Sequence, residues 1–338
     1  DNSPVRDDLL RFYKTHYSAN LMSLVVLANE PLPVLKNWVT DKFSAIPNQH
    51  AHKKRFTEPV LTQTQTAHRI NIQSLQEKRE LSLLFPLPET QSHYLAKPAA
   101  YFQSLLGHEG EGSILALLKE KGWADELSSS PGFSNNAQES SFNINISLTQ
   151  AGLQHVDDTI DLVFQYIRLL QQNKVQAWLY KEQQQMSQLR FRYQEKRNAS
   201  STVTGLAHNL QYYATQDVLR APYVMEQFKP ELTQQLLDQL RPEHALISFN
   251  SQNLSTHKIE PNYQVAYGIE AIAPELLKRW SSSSIHPDLS LPAPNPFIPD
   301  ELHLKIADTA SLQPHLIQQD TNLAVWHQLD TSFKVPRS

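Results

Sequence analysis

The chain has no cysteine in 338 residues. That excludes disulfide frameworks, thiolate metal sites and cysteine nucleophiles. It leaves the compartment open, with the cytoplasm favoured over the periplasm. Apolar residues make up 40% of the chain, yet no run approaches the ~18 to 20 consecutive apolar residues of a membrane helix, so no membrane partner is expected. The charges nearly balance, with 30 Lys and Arg against 34 Asp and Glu for a net of −4. Without a basic excess to neutralise a phosphate backbone, nucleic acid is not an expected partner. Glycine is scarce as well: there are eight, well below the usual share of ~7%. Left-handed backbone should therefore be rare. Five of the eight, Gly107, Gly110, Gly112, Gly122 and Gly132, fall between positions 107 and 132, where unusual backbone is expected to concentrate. The opening DNSPVRDDLL is acidic and lacks both an initiator Met and a leader pattern, as expected of a processed chain or a piece of a longer one.

What is present reads as alternating helices and short strands. Leu9, Leu10, Phe12, Tyr13 and Tyr17 recur at helical spacing after Ser3-Pro4. The run Leu21 to Ala28 has the length of a strand, and Leu32, Leu35, Trp38, Val39 and Phe43 make a second helical stripe after Pro31. One strand between two helices cannot close a core, so residues 1–50 read as the C-terminal part of a first domain, and residues 51–338 as a second. Residues 48–67 are polar and aperiodic, the signature of a linker. Strands are expected at Arg69 to Leu75, at Glu80 to Phe85 before Pro86 and Pro88, at Ser140 to Leu148, at His244 to Asn250 and at Tyr263 to Ile269. Helical spacing marks His93 to Leu106, Ser113 to Lys121, Leu153 to Leu170, Val175 to Glu195, Thr202 to Tyr213, Glu231 to Leu240 and Pro274 to Trp280. Residues 281–299, rich in Ser and Pro, read as extended, and Leu302 to Ile306, Leu323 to Leu329 and Phe333 to Val335 as edge strands. The sum is an α+β fold: a mostly antiparallel sheet of about six strands covered by helices on one face, preceded by the incomplete first domain.

No local catalytic motif survives inspection. GHEGEGS, Gly107 to Ser113, lacks the Lys of a phosphate loop and places Glu109 and Glu111 where phosphates would sit. Neither H-E-x-x-H nor H-x-x-E-H occurs, and no two of the 14 histidines stand four apart, so no helical two-histidine metal site can be built. No catalytic and no metal-ligating residue is assigned. The glycine window admits two readings. Gly107 and Gly122 could each terminate a helix, or small residues there could give another chain access to a strand edge such as Leu127 to Ser130.

Several long segments then agree at once with one family. LLRFYKTHYSANLMSLVVLANEPLPVLKNWVTDKFSAIPN, GHEGEGSILALLKEKGW, SLTQAGLQHVDDTIDLVFQYIRLLQ, NPFIPDEL and DTNLAVWHQLDTSFKVP resemble insulysin/pitrilysin-type zinc metallopeptidases, the inverzincins of the insulinase family, nearest their insulin-degrading branch. The resemblance implies a fragment. The family's zinc ligands and glutamate base lie in its first domain, at positions that would precede Asp1, so zinc belongs to the parent enzyme and this chain alone is expected to be inactive. It further implies a non-catalytic, substrate-binding wall of a chamber. There a peptide's N-terminal end pairs with backbone around Gly107, His108 and Glu109 and with the strand Leu127, Ser128, Ser129, while Glu109 sits near the α-amino group. The family's glycine-rich strand reads Ser128-Ser129-Ser130 here, a bulkier edge. The implied partners are peptide substrates and the remaining domains of the parent protease. The alternative is a catalytically silent scaffold or interaction subunit resembling the same family. An open sheet edge also predicts a homodimer.

Overall fold

The computed structural model describes residues 4–54, 58–59, 61–62, 64–132, 139–254, 256–299 and 313–328. Its apolar alternations become β1 (His68–Gln73), β2 (Arg79–Pro88), β3 (Ala124–Pro131), β4 (Glu139–Leu148), β5 (Leu246–Ser251), β6 (Lys258–Ile259) and β7 (Ala266–Ala271). These form one seven-stranded sheet in the order β3-β4-β2-β5-β1-β7-β6. Every pairing is antiparallel except that of β1 with β5, in which His68 lies opposite Leu246 and Gln73 opposite Ser251. A separate hairpin joins β8 (His315–Gln319) to β9 (Ala324–His327).

Period two sorts the sheet into faces. Leu81, Leu83, Phe85 and Leu87 of β2 and Phe142, Ile144, Ile146 and Leu148 of β4 are buried together, with Ile247 and Phe249 of β5 continuing the layer. Residues between them, such as Ser82 and Asn145, form the opposite, more polar face and hydrogen-bond to each other at 2.7 Å. Nine α-helices lie among the described residues: α1 (Val5–His16), α2 (Leu32–Phe43), α3 (Pro98–Leu106), α4 (Ile114–Glu120), α5 (Val156–Asn173), α6 (Ala177–Arg192), α7 (Ala199–Asn209), α8 (Pro230–Leu237) and α9 (Pro274–Ser282). Helices cover the apolar face: Phe102 of α3 meets Phe142 edge to face at 4.8 Å, and Phe164 of α5 meets Phe85 at 6.0 Å. None of the helices is long and apolar enough to cross a membrane.

Helix α5 is the spine of this layer. Ile160, Val163, Phe164, Ile167 and Leu170 recur at helical spacing and are buried. Asp157 and Asp158 stand in its first turn, where carboxylates favour the positive end of the helix dipole. α9 is held to it by apolar and ionic contacts. Trp280 is fully buried beside Phe164 and donates from Nε1 to the Asp157 carbonyl at 3.1 Å. Arg279 pairs with Asp158 at 2.5 Å and Asp161 at 3.3 Å, while Arg168 donates to the carbonyls of Trp280 and Ser283. The guanidinium of Arg279, then His155, holds the Asp158 carboxyl below its ordinary range.

Four expectations need correction. Leu21 to Ala28 forms no strand: Ala19–Leu21 is a single 3-10 turn, and residues 22–28 pair with no strand among the described residues. An apolar run of strand length becomes a strand only where another supplies ladder partners. Second, β2 does not stop before its prolines: it runs through Pro86 and ends on Pro88, which lie opposite Ser141 and Glu139. Pairing with β5 stops at Leu84, so the missing N–H groups fall where β2 has lost one neighbour. Third, left-handed backbone is not concentrated in the glycine window. His50, Ala67, Lys97, Lys174 and Gln264 all have φ between 45° and 57°. Fourth, the sheet holds seven strands, because the two-residue β6 extends it beyond β7. The sequence reading also missed β8. Leu302 to Ile306 and Phe333 to Val335 lie outside the described residues.

Candidate peptide-binding cleft

The two glycines expected to stop helices do so for different reasons. Gly122 follows α4 at φ 68°, a conformation that disfavours any side chain. Gly107 caps α3 with an ordinary φ of −93°. A Cβ on Gly107 would stand 3.0 Å from Ser129 Oγ and 3.2 Å from the Gln103 carbonyl oxygen, so there the absence of a side chain lets β3 approach the end of α3. Ser129 fills the gap, its hydroxyl donating to the Gln103 carbonyl at 2.8 Å. Ser113, a nucleotide-binding serine in a phosphate loop, is here the cap of α4 and accepts from the Ala116 N–H at 3.1 Å.

β3 lies at one end of the sheet and, among the described residues, pairs only with β4. Alternate residues of such an edge turn N–H and C=O away from the sheet, free to pair with another chain. β3 borders a cleft of about 640 Å³ between the start of α3, the loop before it and one face of α6. Gly107, Glu109, Leu127, Ser128 and Ser129 all line it, so five of the six residues singled out from sequence come together. Leu127 and Ser129 are buried toward the core, whereas Ser128 and Glu109 are exposed. His108 is the one that does not line the cleft. Its Nε2 lies 2.8 Å from where a Cβ on Gly110 would be, so the imidazole folds over that glycine.

The charged groups of the wall were not visible as such in the sequence. Lys97 stands immediately before α3 at φ 45°, ψ 56°, a left-handed conformation that costs a non-glycine residue on the order of 1–3 kcal/mol. Its ammonium donates to the Ala221 carbonyl at 2.6 Å, and burial pushes it down to about 8. Arg190 reaches the cleft from α6, and Tyr94 and Tyr213 stack edge to face at 5.1 Å on its rim. The Tyr94 hydroxyl donates to Asp217 at 2.7 Å, and Arg220 joins Asp217 to Glu226. Those bonds, the tyrosine's first, hold the Asp217 carboxyl below its ordinary range. The only sequence signal for Lys97 was a lone charge inside the apolar stretch YLAKPAAYF.

This set of side chains does not fit a zinc ion. His108 and Glu109 are adjacent rather than convergent, and among the described residues no three His, Asp or Glu side chains gather as a metal site would require.

Residues 4–187 match the family model described as the peptidase M16 inactive domain, and residues 191–338 match the middle or third domain of peptidase M16. The two models meet within α6. The chain is 33% identical over its full length to insulin-degrading enzyme of Drosophila melanogaster. It is 34% identical, over 98% of its length, to the A-factor-processing enzyme of Saccharomyces cerevisiae. The crystal structure of pitrilysin superposes with a TM-score of 0.90 at 25% identity, covering 98% of this chain and 35% of that one. The chain spans about a third of the length of these relatives. With one family model matching more than half of its residues and another most of the remainder, the chain belongs to the M16 peptidase family.

Proposed function

We propose that this chain is a non-catalytic substrate-binding wall of an M16 zinc metalloendopeptidase. It holds the end of a peptide while other parts of the parent protein supply the metal and cut elsewhere. The observation that carries the reading is the free edge of β3 on the 640 Å³ cleft. An extended peptide laid along Leu127 to Ser130 gains main-chain hydrogen bonds as an eighth strand, and the exposed Glu109 carboxylate on the same cleft suits a free α-amino group. The relatives' names, insulin-degrading and A-factor-processing, agree with peptides as substrates. In this reading a zinc ion held by other parts of the parent enzyme would supply Lewis-acid chemistry, and the residues of this chain would contribute binding alone.

The apolar side of α1 and α2 supports a second part of the reading. Residues 1–50 pack against a preceding unit of the parent, and residues 51–338 form the wall. Phe12, Trp38 and Leu32 are 56%, 47% and 80% exposed, which fits a surface made to be covered.

The test uses a fluorescent peptide of about thirty residues, observed for binding by anisotropy and for integrity by mass spectrometry, with added zinc and with chelator. Binding that weakens on N-terminal acetylation and in Ser128→Pro, with the peptide intact in both tubes, is the expected result. Zinc-dependent cleavage by this chain would overturn the non-catalytic assignment, and binding indifferent to Ser128→Pro would remove the strand edge from it.

A further inference from the structure

Pairing along β3 does not account for the cations of the cleft. Lys97 is half-buried and held in a left-handed conformation, yet among the described residues its ammonium meets only the neutral carbonyl of Ala221. A cation drawn out of water usually lies beside a carboxylate, because burial without a counter-charge is costly. Here burial alone shifts its proton affinity, with no anion opposing the effect. Arg190 lines the same cleft, is exposed, and has no carboxylate partner among the described residues. By contrast, the arginines on the neighbouring network and on α9 are each paired with acids. The one carboxylate of the cleft, Glu109, pairs with neither cation. Two cations lining one cavity, neither paired with its one carboxylate and one of them in strained backbone, make an arrangement open to a further anion.

We propose that Lys97 and Arg190 form a subsite for an acidic side chain, in which an Asp or Glu of the bound peptide places its carboxylate between the ammonium and the guanidinium. This rests on the reading of the cleft as a peptide-binding wall and adds the class of peptide it selects. Gln103 and Gln183, also in the lining, offer neutral amides for the remaining acceptor sites of the carboxylate. The subsite and Glu109 then read opposite ends of one segment: a free amine at one and an acid farther along the strand.

The experiment measures binding of C-terminally amidated twelve-residue peptides to the chain by anisotropy, with one Asp moved through an otherwise neutral sequence and Asn at the same positions as control. At one or two positions Asp is expected to bind roughly fivefold or more tightly than Asn. Lys97→Met and Arg190→Gln should each reduce that ratio toward one. Arg190 is exposed on α6, so its variant keeps the test intact even if Lys97→Met disturbs the start of α3. A free-acid series of the Asn peptides separates side-chain from C-terminal recognition; if only the free acid gains, the subsite reads a chain end and the proposal is wrong. Equal affinity for Asp and Asn peptides at every position would overturn the subsite while leaving the wall in place. Absence of binding by any peptide would overturn both.

Discussion

Helices α1 and α5 carry the same kind of pattern, apolar residues at a spacing of three and four, and end in opposite circumstances. No residue of α1 is buried, whereas eleven of the eighteen residues of α5 are. Phe12 is 56% exposed and Phe164 1%. Both sequences are amphipathic; only α5 has a sheet beneath it. Amphipathicity therefore records that a face is suited to burial, and a partner surface decides whether burial occurs. The segment 4–54 is held to the rest by polar contacts such as Gln211 Nε2 donating to Ser23 Oγ at 2.7 Å, and by Lys53 over the ring of Tyr212. The region around α5 is held by a continuous apolar core.

The contrast is tested most strongly by truncation on each side of it. Phe164→Ala removes a ring packed against Phe85 and Trp280 and should cost about 3–5 kcal/mol in denaturant unfolding. Phe12→Ala should change stability by less than about 0.5 kcal/mol, since its ring touches only His16 among the aromatics and stays in water. Comparable losses at the two positions would mean that α1 is covered after all. A smaller effect is expected at the ionic contact between α5 and α9. Arg279→Ala removes the cation paired with the buried Asp161, leaving it Ser283, Gln165 and the neighbouring charge of Arg168, and should cost about 1–3 kcal/mol, read from the same unfolding curves.

The uncovered face has its own signature. Phe12→Ser together with Trp38→Ser should leave the unfolding midpoint in place and lower any concentration-dependent association seen by light scattering. A wild-type chain that stays monomeric at all concentrations would show that neither this face nor the β3 edge self-associates. The smallest effect concerns acid. Because Arg279 and His155 hold the folded-state pKa of Asp158 below its ordinary 3.8, its stabilising contribution is present above that value and is lost as pH falls through the depressed one. Asp158→Asn should lose that contribution at neutral pH, flatten the acid limb of stability below about pH 4 and converge with the wild type in acid; an unchanged acid limb would show the ion pair to be inert.

Legibility followed the same divide. β4 and α5 could be read because their alternation and spacing coincide with real faces, and β2 could be read up to its prolines. The Leu21 to Ala28 run misled because hydrophobicity gives no sign of whether a neighbouring strand exists. β8 was missed because His315–Gln319 is exposed along its whole length and has no buried alternation to read. In the cleft, the backbone positions Gly107 and Leu127 to Ser129 were legible from glycine placement and a family resemblance. Lys97 and Arg190 were not. Their significance comes from lining one cavity without a paired carboxylate, a relation between residues far apart in the chain that no local window contains.

The position of β5 in the sheet sets an order on assembly. It lies between β2 and β1 and is the sole link between the two halves of the sheet, yet it comes after every residue from His68 to Ala245 in the chain. On a ribosome, β2, β3 and β4 can pair early as an antiparallel sheet, while β1 waits unpartnered until residue 251 has emerged. Pairing across such a separation is slow. During that interval the inner edge of β2 and the whole of β1 are open to other chains, so synthesis at low temperature or with a holdase chaperone should raise the yield of soluble protein more than any surface substitution.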